Sequence, residues 1–137
     1  MAIVKELGKG ENILEIAGAA TEDLSSSQYC LVAIKTGVSS GHFTVSLPSG
    51  QGVQTLGVLQ NTPASGEQAN VRVLGTTKVV ANGTFNCGTL LTPAATTGKA
   101  GAASSGDYVI GVALQAAAEA NHEVWCAVNG INPAQVN

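Results

Sequence analysis

Leu56-Gly57-Val58-Leu59-Gln60, a turn containing Pro63 and Gly66, and then Val71-Arg72-Val73-Leu74-Gly75 form the stretch on which the fold turns, because the chain repeats it. The second copy runs Ile110-Gly111-Val112-Ala113-Leu114-Gln115, an Ala-rich turn, and Val124-Trp125-Cys126-Ala127-Val128-Asn129-Gly130, about 55 positions further on. Each copy reads as two short apolar runs joined by a turn, the signature of a β-hairpin. Two copies are too few for a solenoid, so a repeated strand pair built into one closed or sandwiched β domain is expected. Neither copy carries residues suited to catalysis.

Working outward, the same period-two alternation appears from Gln28. Cys30, Val32 and Ile34 are expected on one face and Tyr29, Leu31, Ala33 and Lys35 on the other. A turn over residues 36–41 leads to Phe43-Thr44-Val45-Ser46-Leu47. Between the two copies lie Lys78-Val79-Val80-Ala81, an Asn82-Gly83 turn, and a run from Pro93 to Gly106 whose single charge is Lys99. That run is expected to be a surface loop, or a weak strand pair lying against a neighbouring subunit. Ala116 to Ala120 has the composition of one helical turn, although so short a helix is marginal in water. The tail from Ile131 to Asn137, interrupted by Pro133, is expected to be loose. Short strands, Gly/Pro turns and no long amphipathic helix predict an all-β fold, a small barrel or sandwich.

Charge divides the 137 residues unevenly. Seven of the fifteen charged side chains fall in residues 1–23, and the body, 24–137, is surfaced largely by Thr, Ser, Asn, Gln, Gly and Ala. Such groups are cheap to desolvate against a neighbour, and a free monomer usually carries more charge. The body therefore reads either as a subunit committed to contacts or as a bland, self-contained β domain. Residues 1–23 hold two apolar pulses, Ile3-Val4 and Ile13-Leu14-Glu15-Ile16, punctuated by Gly8, Gly10 and Gly18. The segment reads as an extended N-terminal arm that a partner groove accepts as an added strand, or else as the first strand of the barrel or a frayed terminus.

Several chemistries are disfavoured. A net charge of −3 with six scattered basic residues gives no patch for phosphates. No apolar run is long enough for a membrane span, and no secretory signal is evident, so synthesis in a cytosol is expected. Cys30, Cys87 and Cys126 form no CxxC pair, and Cys30 and Cys126 are expected as buried, reduced thiols. Gly37-Val38-Ser39-Ser40-Gly41 matches the GxSxG string of a hydrolase elbow, but the residues after it alternate like a strand where the elbow needs a helix. His42 and His122 lack metal-ligand spacing. Asp107 follows a Ser-Ser-Gly run and reads as turn chemistry. No enzyme activity, cofactor or metal is expected. Trp125, the single tryptophan, alternates with Val124, Cys126 and Val128; it sits at an interface, or its strand is buried on both sides.

Gly57-Val58-Leu59-Gln60-Asn61, Pro63, Gly66-Glu67, Val71-Arg72-Val73, Gly75, Lys78-Val79 and the run Gly106 to Ala116 together resemble the small capsid decoration, or cement, proteins of tailed bacteriophages. The likeness spans roughly residues 28–130 and extends more loosely to head decoration proteins of the phage lambda kind. It implies a structural virion protein, made in the host cytoplasm, that trimerises on the outer surface of the expanded capsid and clamps neighbouring major capsid proteins. An N-terminal arm reaching the capsid would place Ile3, Val4, Ile13, Leu14 and Ile16 at that contact, with Trp125 at a subunit interface. Other classes remain open: a head fibre base or tail accessory, or a small ligand-binding β-barrel or hydrolase.

Overall fold

The structure, a computed structural model, describes residues 12–35, 41–132 and 134–137. Eleven strands occur among them, and no helix. In chain order they are β1 (Asn12–Ala20), β2 (Leu31–Ile34), β3 (Thr44–Ser46), β4 (Gly57–Leu59), β5 (Gln68–Val80), β6 (Leu90–Pro93), β7 (Ala100–Ala102), β8 (Tyr108–Val109), β9 (Gly111–Ala113), β10 (Glu123–Asn129) and β11 (Ala134–Gln135).

Nine of them form one sheet in the order β1-β3-β2-β4-β5-β10-β9-β6-β7, and β1 also pairs with β5. The extra pairing closes β1, β3, β2, β4 and β5 into a five-stranded barrel. Closure is possible because β5 is long: its first half pairs antiparallel with β1 and β4, and its second half with β10. Beyond β5, a bridge between Ala81 and Ala100 brings the opposite end of the sheet back toward it. The all-β barrel expected from the repeated hairpins is the fold observed.

Both repeats are hairpins. In the first, β4 pairs with β5 through Val58↔Arg72; in the second, β9 pairs with β10 through Val112↔Ala127. The glycine opening each copy has the same cause. A Cβ on Gly57 would collide with the carbonyl oxygen of Arg72, and one on Gly111 with that of Ala127.

Two cores flank β2 and β4. Val32, Val45, Leu59, Ala69, Val71 and Val73 fill the barrel, with Leu14, Ile16, Phe43, Leu47 and Leu56 packed against them. Leu31, Val58, Val79, Phe85, Leu91, Ile110, Val124, Cys126 and Val128 form the second core. Adjacent residues of a strand point to opposite faces, so Leu31-Val32 and Val58-Leu59 each serve both cores.

Several expectations are corrected. Residues 12–20, inside the stretch expected as an arm over 1–23, form a barrel strand, with Ile16 opposite Val71 and Glu15 opposite Arg72; for them the first-strand reading describes the chain. Ile34, expected on one face with Cys30 and Val32, is 48% exposed while those two are buried. Ala116 to Ala120 makes no helix, and Ala117 bridges to Phe85 instead. The tail is tied down: β11 pairs with β8, the Val136 N–H donates to Asp107 O, and Gly106 N–H donates to Val136 O. Within the run from Pro93 to Gly106, Ala100–Ala102 form β7, which pairs antiparallel with β6, the strand that ends at Pro93.

Candidate interaction surfaces

Trp125 stands on β10 directly across from Lys78 on β5. Alternation sends Val124, Cys126 and Val128 into the second core, so the strand has one core face, with Trp125 and Ala127 half-buried on the other. The Lys78 ammonium lies 5.9 Å from the centre of the indole ring, close enough for a cation–π contact. Trp125 is held at the backbone too, its N–H donating to Gln115 Oε1 at 3.0 Å.

Around this pair is a shallow cleft of about 110 Å³ lined by Tyr29, Gln60, Arg72, Thr77, Lys78 and Trp125. Its floor is polar and ordered. Gln60 Nε2 donates to Thr77 Oγ1 at 2.8 Å, and Thr77 Oγ1 donates to Lys78 O. The Arg72 guanidinium donates through Nη2 to Glu15 Oε2 and through Nη1 to Thr76 O, each at 3.0 Å. Its third nitrogen, Nε, is buried and has no hydrogen-bond partner among the described residues. Two cations, one of them carrying an unused donor, thus share a concavity with the only tryptophan. The space suits a carboxylate group and is well below the 300–1,000 Å³ or so of a cofactor or drug-sized site. Sequence reasoning found Trp125 but missed its companions, because the β5–β10 register joins residues some 47 positions apart and leaves no local signal.

A second concavity runs along the exposed Ile34, between Ala33, Gln54, Thr55, Leu56 and Gly130 on one side and Leu47, Ser49 and Val53 on the other. These concavities are open surface grooves, and side chains fill the barrel interior.

The remaining candidates resolve into structure. The Asp107 carboxylate accepts hydrogen bonds from Gln51 Nε2 at 2.7 Å and from Ser104 N–H at 2.8 Å, fastening two loops. Gly52, at φ +76°, lies where a Cβ would meet that carboxylate. His122 sits in the β9–β10 turn, its Nε2 3.2 Å from Glu119. Ser39 lies outside the described residues; beyond the glycine that follows, the chain enters β3 and no helix. Cys30 and Cys126 are buried and free, and Cys87 is exposed and free. Burial pushes the Cys126 thiol up to about 12; it raises Cys30 as well, with Lys99 pulling in the opposite direction. No cluster of His, Cys, Asp or Glu able to hold a metal occurs among the described residues.

Of the residues expected at a capsid contact, Leu14 and Ile16 pack against the barrel core. Ile13 lies on β1, with its side chain outside the described set, and Ile3 and Val4 lie outside the described residues.

No curated protein matches the sequence. Among solved structures, the fold is similar to the N base of head fiber gp8.5 of bacteriophage phi29, with a TM-score of 0.67 and 18% identity over 90% of this chain and 98% of that one. At that identity the likeness speaks for the fold. The sequence profile of the phage cement protein family matches residues 8–128, which take in β1 to β9 and all of β10 but its last residue. The chain belongs to the phage cement protein family, a family of capsid-associated structural proteins of phages.

Proposed function

We propose that this protein binds the outer surface of the expanded phage head as a homotrimer and stabilises it by clamping neighbouring major capsid proteins. The observation that carries the reading is the family match over residues 8–128. A body with only eight charged side chains in 114 residues supports it, because such a surface is inexpensive to cover. The mechanism is mass action. A protein that binds the assembled lattice and not its separated subunits stabilises the lattice by its binding free energy, and many copies make modest individual affinities count together.

The capsid contact is assigned to the N-terminal segment. Leu14 and Ile16 anchor that segment on the barrel, leaving Ile3 and Val4 for the capsid. Trp125 is assigned to the contact between subunits. The test is to mix purified protein with undecorated heads and follow both occupancy and survival of the heads on heating. Ile3→Asp/Val4→Asp should fold normally and bind heads poorly; unchanged binding would remove the N-terminal segment from the contact.

A second reading, the base of a head fibre, draws on the fold shared with the phi29 protein. It predicts that a further fibre segment projects from the docked subunit, which imaging of decorated heads separates from a bare cement subunit.

A further inference from the structure

A ring of identical subunits with three-fold symmetry needs two different patches per chain, since each subunit presents one surface to the neighbour before it and another to the neighbour after it. The fold supplies a complementary pair. At the seam between barrel and second core lies the Arg72–Lys78–Trp125 cleft, with the buried, unpartnered Nε of Arg72. At one end of the barrel lie Glu22 and Asp23, both exposed, in the turn after β1. Glu67 lies at the same end, because the Ala20 N–H donates to its carbonyl. Lys78 is ten residues along β5 from Gln68 at that end, roughly 30 Å in an extended strand. The acids of one chain therefore do not reach that chain's own Lys78–Trp125 pair.

We propose that the Arg72–Lys78–Trp125 cleft receives a carboxylate from a second copy of this chain, supplied by the Glu22–Asp23 turn, so that the subunits join head to tail. The inference rests on the proposed homotrimer and names its contact. The cleft already holds one acid: Glu15 opposes Arg72 across the strands and neutralises part of its charge. The Lys78 ammonium keeps no carboxylate partner among the described residues; it contacts the indole face. Glu123 is on the same sheet face two positions from Trp125 but forms no ion pair with Lys78. An incoming carboxylate would find the Lys78 charge and the indole ring beside the Arg72 guanidinium. On the supplying side, hydrogen bonds from the Ser25 hydroxyl and N–H hold the Asp23 carboxyl below its ordinary value, so it is ionised at neutral pH. Glu22 also borders the Ile34 groove, together with Lys35, whereas the Arg72–Lys78–Trp125 cleft shares no residue with it.

The experiment is a charge swap followed by sedimentation over a range of protein and salt concentrations, with folding checked by circular dichroism. Lys78→Glu and Glu22→Lys/Asp23→Lys should each weaken self-association about tenfold or more, and the three substitutions combined should recover much of it. Lys78→Ala, a gentler change, should weaken association in the same direction. Wild-type association that ignores both charge reversals, or a combined variant no better than either alone, would overturn the contact. Head binding measured on the same proteins keeps the two proposals apart. A wild type that decorates heads yet stays monomeric at every concentration would overturn the head-to-tail contact and leave the capsid reading standing. Self-association that follows the charge swap, without any binding to heads, would uphold the contact and contradict the capsid reading.

Discussion

Gly57 lies directly beneath the carbonyl oxygen of Arg72 on the neighbouring strand, so that a Cβ would overlap it. Gly111 stands in the same relation to Ala127 in the second repeat. The interval between glycine and partner is nearly the same in both copies, which is why the repeat is visible in the sequence. Gly57→Ala and Gly111→Ala should each cost about 1–3 kcal/mol by forcing the paired strands apart. Gly83→Ala, where a Cβ meets nothing within 4 Å, should stay within about 0.5 kcal/mol. Chemical denaturation of the three variants checks the contrast, and equal costs would contradict the close-approach account.

Leu59 is fully buried inside the barrel. Leu59→Ala should cost about 2–5 kcal/mol, the lost transfer energy together with the cavity left behind. Ile34→Ala, at a side chain that is nearly half exposed, should cost much less. Thermal melts of both variants test whether the barrel core sits where these side chains place it.

The Asp107 carboxylate ties Gln51 to the Ser104 turn, and the Asp107 backbone carries the C-terminal strand pair. Removing the carboxylate leaves the Ser104 N–H and the Gln51 amide without their acceptor and unties the two loops. Asp107→Ala should therefore destabilise by about 0.5–1.5 kcal/mol. Hydrogen exchange should quicken first in residues 104–109 and 134–137.

The three thiols should separate cleanly. In the folded protein Cys87 should react with a thiol reagent at once, and Cys30 and Cys126 only on unfolding. The Cys126 thiol is raised from 9.0 to about 12 in the fold. Its contribution to stability is thus complete below about 9 and declines as pH rises from 9 toward 12, because the unfolded chain releases this proton first. Cys126→Ala should flatten that alkaline decline, and titration of unfolding against pH measures it.

Most of the body was legible because short strands with one or two buried faces write their alternation into consecutive residues. Val71-Arg72-Val73 and Val124-Trp125-Cys126 are examples. β1 was ambiguous for a physical reason: its glycines and charges suit an arm, and its pairing partner β5 lies more than 50 residues away. Glu15 looks like a solvated charge until Arg72 is seen opposite it. The C-terminal tail misled because Pro133 marks a break, while the tie to Asp107 that orders the residues beyond it is nonlocal. The Trp125 cleft was half legible. Alternation isolates the tryptophan, but only the register of β5 against β10 brings Lys78 and Arg72 to it.

The central claim is that this chain docks on a phage head. Purified protein added to undecorated heads of its own phage and imaged by cryo-electron microscopy should appear as added density on the outer capsid surface, and the heads should survive heating better. Heads that remain bare at saturating protein, with unchanged heat resistance, would contradict the account.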